Sequence, residues 1–180
     1  PMHPANDASE RSDSRRIASR KEEHVRLVVE ENVVFRHKSA GWELFEPEYN
    51  ALPELDLDEI STECTFLGYK LRLPLMMTGM TGGYPDAERI NASLAAVCQN
   101  HGMAIGVGSQ RQILRSGTFV QSYRVVRQAA PSVPVIANLG AAEIVHESSV
   151  DDAQFLVDVL QADALAIHCN ALQELMQPEG

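Results

Sequence analysis

The chain has 180 residues, 44% of them hydrophobic and 6% aromatic, enough for one well-buried core in a single domain. Its formal net charge of -10 repels polyanions, which sets aside nucleic acid and anionic membranes as partners and leaves room for a small anion only where Lys and Arg cluster. Three cysteines, Cys64, Cys98 and Cys169, form no C-x-x-C pair and leave one over in any disulfide scheme, so they read as reduced thiols of a cytoplasmic protein.

Residues 1–21 are polar and hold no apolar run of the signal-peptide kind, and no stretch approaches the ~18 apolar residues of a membrane span. Residues 1–14 carry almost no large apolar side chain and read as a disordered tail. From Arg15 to about Glu31, Ile17, Val25, Val28 and Val29 recur without Gly or Pro, which predicts a helix. The stretch from Gly41 to Leu73, with Pro47 and Pro53, reads as a connecting region of short extended pieces, so residues 15–72 form a helix and connector ahead of the main fold.

A repeating pattern follows over 73–180. Leu73 to Met77 is a short apolar strand that runs into the Gly-rich Thr78 to Gly83, and Asp86 to His101 places Ile90, Leu94, Val97 and Cys98 on one helical face. Met103 to Val107 is a second strand ending in Gly108, Ser109, Gln110 and Arg111, with a helix from Phe119 to Ala130 in which Tyr123, Val125 and Val126 can pack. A third strand, Val133 to Ala137, ends in Asn138, Leu139 and Gly140 ahead of a helix from about Val150 to Gln161. A fourth, Ala164 to Ile167, ends in His168, Cys169 and Asn170. Short apolar strands alternating with amphipathic helices predict parallel βα units. Each strand releases its polar residues only at its C-terminal end, where parallel α/β folds carry their functional groups. A closed barrel needs about 250 residues, so about four βα units, half a barrel, are expected here.

Arg20, Lys21, Glu22, Glu23 and His24 alone would pass for a solvated helix face. Arg20 and His24 stand one turn apart, however, and can converge with Lys21 on one anion; a diphosphate suits Arg as a fork and Lys as a point charge. Thr78 to Gly83 and Gly106 to Ser109 offer backbone N–H groups that a planar ring or phosphate can approach, and Asn138 adds an amide. His168 and Asn170 alternate and share a face. Glu174 is a hard oxygen donor suited to Mg²⁺.

Taken in order, Arg20 to His24, Ala51 to Ile60, Met77 to Gly83, Gly106 to Arg111, Ala137 to Gly140 and His168 to Gly180 closely resemble the type 2 isopentenyl diphosphate isomerases from about Ser14 onward. The resemblance implies the first half of a (β/α)8 TIM barrel after an N-terminal extension. It also implies an FMN enzyme that interconverts isopentenyl and dimethylallyl diphosphate, with Mg²⁺ on the diphosphate and NADPH only as flavin reductant. By the same resemblance Arg20, Lys21 and His24 grip the diphosphate beside Ser109, Gln110 and Arg111, and Thr78, Gly79, Met80, Thr81, Ser109 and Asn138 contact FMN. Gln173 faces the isoprenoid end with His168 and Asn170, Glu174 holds Mg²⁺, and the protein is a homo-oligomer, tetramer or octamer. Cys169 and Ala171 depart from the Leu and Pro expected there. The competing readings are another FMN barrel, of the hydroxy-acid or dihydroorotate oxidoreductase type, and a non-catalytic half-barrel.

Overall fold

The structure, a computed structural model, describes the backbone of residues 4–79, 81–146 and 149–176, and the side chains of all of these but 4–14, 146, 173 and 174. Helix α1 (Pro4–Glu30) opens the chain and so begins ahead of the start near Ser14 that composition suggested. Pro4 suits the first turn of a helix, where a missing N–H costs nothing. Among its described side chains only Ile17 is fully buried, which makes α1 a surface helix pinned at few points.

The connector over 31–63 is exposed almost throughout and contains two single 3-10 turns, Trp42–Leu44 and Leu57–Glu59. It leaves Trp42, Leu44, Phe45 and Tyr49 facing outward. An antiparallel hairpin ends it, β1 (Cys64–Phe66) with β2 (Tyr69–Leu71), paired Cys64 to Leu71. Leu67 and Gly68 turn it with φ of 49° and 81°, the pair of left-handed residues that a two-residue hairpin turn requires.

Four parallel strands then line up in chain order: β3 (Met76–Met77), β4 (Ala104–Gly106), β5 (Val135–Gly140) and β6 (Ala164–His168). Met76 pairs with Ala104, Ile105 with Val135, and the β5–β6 ladder runs from Ile136 and Ala164 to Gly140 and His168. Strand β5 is buried nearly end to end, as expected of a strand covered on both faces, whereas β6 grows exposed toward its end.

The connecting helices are α2 (Ala87–His101), α3 (Arg111–Ser116), α4 (Gln121–Ala129), α5 (Ala141–His146), α6 (Val150–Leu160) and α7 (Ala171–Met176). Val107, Val126, Val135, Leu139, Leu156 and Leu160 lie at the centre of the core they close. Each such side chain contributes about 1.5–3 kcal/mol on burial. Helix α2 buries Ala87, Asn91, Ala95 and Cys98, so of the face expected from Ile90, Leu94, Val97 and Cys98 the last is buried and Leu94 packs on the core, whereas Val97 is exposed. Small side chains on the inward stripe allow close packing, and bulk alone misjudges that stripe.

The ends of the longer helices follow local rules. Gly102, at φ 63°, takes the left-handed position that ends α2, and Ser149 with Asp152 forms a capping box at the start of α6. Helices α3, α5 and α7 were not expected. At six residues each they are too short to show periodicity, and all three follow the strand ends that read as loops.

Candidate functional site

Backbone contacts bring the strand tips to one rim. The Val107 amide donates to the Ile136 carbonyl at 3.0 Å, Gly108 N donates to Thr81 O at 2.9 Å, and Gln110 N donates to Asn138 O at 2.9 Å. The Gly-rich loop after β3 is thereby stitched to the end of β4, and β4 to the end of β5. Glycine is required where the first two meet, since a Cβ on Gly79 would stand 1.9 Å from the Val107 carbonyl oxygen. The glycines of this loop serve close packing of backbone on backbone more than an open cradle.

A polar network under the loop holds it. Asn91 on α2 donates to the Ser122 carbonyl at 2.7 Å and touches the Thr81 hydroxyl, while the Ser122 hydroxyl accepts from Gly83 N at 3.1 Å. Thr81 is therefore buried, with both its hydroxyl and its carbonyl engaged. Thr78 is exposed and Gly79, Ser109 and Asn138 are partly so, which leaves these four accessible at the rim. Met80 lies outside the described residues.

Helix α1 meets this rim through Lys21. Its ammonium donates to the Ser109 carbonyl at 2.8 Å and to the Tyr123 hydroxyl at 3.1 Å, and that hydroxyl donates to the same carbonyl at 2.7 Å. Burial, and then the nearby charges of Arg111 and Arg20, lower the Lys21 pKa to about 7. The charges acting on Lys21 are thus both positive. Arg20 is part-exposed and His24, one turn on, is exposed.

Arg111 and Gln110 do more inside the protein than the sequence suggested. The Arg111 guanidinium meets Glu143 of α5 at 2.8 Å, with Arg115 on the same carboxylate at 3.3 Å. Gln110 is fully buried, its amide nitrogen donating to the Leu156 carbonyl at 3.2 Å and its oxygen accepting from Asn138 N at 3.1 Å. Instead of lying beside a diphosphate, the Gln110 side chain acts as a bracket between β5 and α6. Arg111 and Arg115 thus share the Glu143 carboxylate at the rim.

His168 ends β6 and Asn170 follows it, both exposed. Gln173 and Glu174 fall on α7, and their side chains lie outside the described residues. Among the described residues no three His, Cys, Asp or Glu come together as a metal site. No helix is long and apolar enough to cross a membrane among those same residues.

Sequence reasoning missed Asn91, Ser122, Tyr123 and Glu143 as parts of the site. Asn91, Ser122 and Tyr123 occupy inward positions of α2 and α4, and polar atoms buried on a packing face call for partners. Glu143, a lone acid among Ala141, Ala142, Ile144 and Val145, carried a similar signal.

No family model matches the chain. It is 45% identical over 161 residues to the isopentenyl-diphosphate delta-isomerase of Chlorobium limicola, an alignment that covers 89% of this chain and 45% of that protein. It is 44% identical over 163 residues to the protein of the same name from Methanosarcina barkeri, covering 91% of this chain and 44% of the relative. With that of Nostoc sp. it shares 40% over 169 residues, covering 94% of this chain and 48% of the relative. The chain spans about half the length of the curated relatives it matches. Over most of its length, this chain is similar to part of proteins named isopentenyl-diphosphate delta-isomerase.

Proposed function

We propose that this chain is part of a type 2, FMN-dependent isopentenyl-diphosphate delta-isomerase, and that it supplies the diphosphate clamp and one wall of the flavin site. The observation that carries the reading is the docking of Lys21 on the Ser109 carbonyl, which sets the Arg20 and Lys21 turn of α1 against the strand tips. The relatives share the name of that activity at 40–45% identity. Four strands in unbroken chain order favour a singly wound (β/α)8 barrel over a doubly wound sheet, whose order reverses at a switch point.

In this reading Lys21, Arg20, Arg111 and His24 hold the diphosphate, with Ser109 beside it. Binding energy from this remote group orients the five-carbon chain at the reacting end. Thr78, Gly79, Met80, Ser109 and Asn138 would hold FMN, whereas Thr81, expected in the same set, is buried with its hydroxyl and carbonyl engaged and would support the loop instead. The accessible members of that set fit an isoalloxazine edge with small, polar rim groups. Reduced FMN, when bound, supplies the acid and base chemistry of the allylic shift, and NADPH serves only to reduce it. Gln173, His168 and Asn170 would line the isoprenoid end and exclude water, with Glu174 as the Mg²⁺ donor. A homo-oligomer, a tetramer or octamer, belongs to the same reading by family resemblance, and the outward-facing Trp42, Leu44 and Phe45 offer apolar surface for contact.

The test is product analysis by NMR with the full-length protein, reduced FMN, Mg²⁺ and isopentenyl diphosphate. Conversion to dimethylallyl diphosphate is expected. Net oxidation of the substrate would instead point to another FMN barrel oxidoreductase, and a colourless protein that gains no flavin absorbance on reconstitution would point to a non-catalytic half-barrel. Arg20→Ala is expected to weaken substrate binding about tenfold, as the loss of one charge-assisted bond does. Gln173→Ala should lower turnover with little loss of FMN.

A further inference from the structure

We propose that Tyr123 is a positioning residue for the anion clamp: its hydroxyl holds the Lys21 ammonium against the Ser109 carbonyl and so aims the remaining N–H of that ammonium at the diphosphate. The inference rests on the diphosphate reading of Lys21 and adds to it a residue that lies on a helix behind the rim.

Tyr123 is fully buried on α4, and its hydroxyl sits 102 residues along the chain from Lys21. Burial pushes the phenol pKa well up, so the hydroxyl keeps its proton and directs it to the Ser109 carbonyl at 2.7 Å. The lone pair is then turned toward Lys21 at 3.1 Å. An ammonium has three donors, and two are fixed here, one by Ser109 O and one by Tyr123 Oη. The same ring closes the Gly-rich loop: a Cβ on Gly82 would lie 2.3 Å from its edge, and one on Gly83 would lie 3.0 Å from the hydroxyl and 2.9 Å from Lys21 Nζ. One phenol thus contacts the loop after β3, the end of β4 and helix α1. A tyrosine needed only for packing would not require a hydroxyl at that point.

The experiment measures binding of inorganic pyrophosphate to the full-length protein by calorimetry from pH 6 to 9, for the wild type, Tyr123→Phe and Lys21→Met. The guanidinium groups of Arg111 and Arg20, which act on Lys21, stay charged over that range. Lys21→Met reports every contribution to the profile other than that of Lys21, the ionisation of pyrophosphate included. Wild-type affinity is expected to fall as the ammonium loses its proton. In Tyr123→Phe the acceptor that favours the charged amine is gone, so affinity drops about tenfold at pH 7 and the fall begins at lower pH. The ring and the fold remain, and the melting temperature reports this.

A Tyr123→Phe variant with wild-type affinity and pH profile, beside a Lys21→Met variant that has lost affinity, overturns the positioning role and leaves the proposed function standing. Wild-type binding by Lys21→Met overturns both. Should Tyr123→Phe fail to fold, the phenol-carbon NMR signal of Tyr123 in the unaltered protein decides. A signal that shifts when pyrophosphate is added supports the role, and one that ignores pyrophosphate overturns it.

Discussion

Arg111 and Glu143 form a buried ion pair across 32 residues of chain, 2.8 Å apart with side chains 10% and 8% exposed. It joins α3, at the end of β4, to α5, at the end of β5, so it ties two successive strand tips together. Breaking a buried pair from one side leaves a charge without its partner, and that typically costs about 3–5 kcal/mol. Glu143→Ala is therefore expected to lower the unfolding free energy by about 3 kcal/mol in urea titration. Arg115→Ala, at a side chain 31% exposed, should cost only about 1 kcal/mol because Arg111 keeps its carboxylate. Equal, small losses in both variants would show that the pair does not hold the rim.

Asp163 does comparable work at the other end of the sheet. It accepts from Val135 N at 2.8 Å, from the Tyr69 hydroxyl at 2.7 Å and from Arg127 at 2.5 Å, and so fastens the hairpin to the start of β5. Partial desolvation pushes its carboxyl up, but the three donors and the Arg127 charge outweigh this and hold it below the usual carboxylate range. A depressed folded pKa contributes stability that is complete above the unfolded value of about 3.9 and is lost as pH falls through the folded value. At pH 7 Asp163→Asn should be less stable by about 1 kcal/mol, since it exchanges charge-assisted bonds that solvent partly screens for weaker ones. The gap should close as acidification passes below the usual carboxylate range and through the folded pKa. Urea melts at several pH values check this, and a gap that stays constant with pH would exclude the carboxylate as its source.

The order of strands and long helices was legible because parallel strands buried on both faces are apolar runs, although β5 runs over Val135–Gly140 with Asn138 inside it, where Val133 to Ala137 was expected. Lys21 at the rim was legible as part of a charge cluster, although nothing in its spacing named Ser109 O or Tyr123 as partners. Gln110 shows the limit. A polar residue at a strand end looks the same in sequence whether its side chain turns outward to a ligand or inward to a carbonyl such as that of Leu156, and only tertiary packing decides. The inward stripe of α2 was read only in part, at Leu94 and Cys98, since Ala95 and Asn91 are chosen for size and hydrogen bonding, which a count of bulky residues does not register.

Gly79 provides a steric test of the stitched rim. Alanine there places a methyl 1.9 Å from the Val107 oxygen and 2.4 Å from its carbonyl carbon, and both are backbone atoms that cannot swing aside. The loop or the end of β4 must move. Gly79→Ala should cost about 2–4 kcal/mol, in line with steric insertion at a packed position. Gly117→Ala meets nothing within 4 Å and pays only for its φ of 63°, which is about 1 kcal/mol. Thermal melts of the two variants rank these costs, and a Gly79→Ala protein as stable as Gly117→Ala would mean that the loop does not pack on β4.

Gln110 separates a bracket from a ligand contact. If its role is to bridge Asn138 N and Leu156 O, then Gln110→Leu, which keeps most of the volume, leaves the buried Asn138 amide without its side-chain acceptor, while the Leu156 carbonyl stays within the helical ladder of α6. A loss of about 1–3 kcal/mol is expected. Gln110→Glu should be worse, because it sets a carboxylate against the Leu156 carbonyl in a fully buried position. Neither substitution removes a group that reaches the rim, so pyrophosphate affinity measured on the folded fraction should stay within about threefold of wild type, which is under 1 kcal/mol. A Gln110→Leu variant that keeps its stability but loses pyrophosphate affinity would reverse the assignment and move the side chain out to the ligand. Loss of stability with affinity retained means that Gln110 sets the spacing of β5 and α6, and reaches any ligand only through the position it gives Asn138.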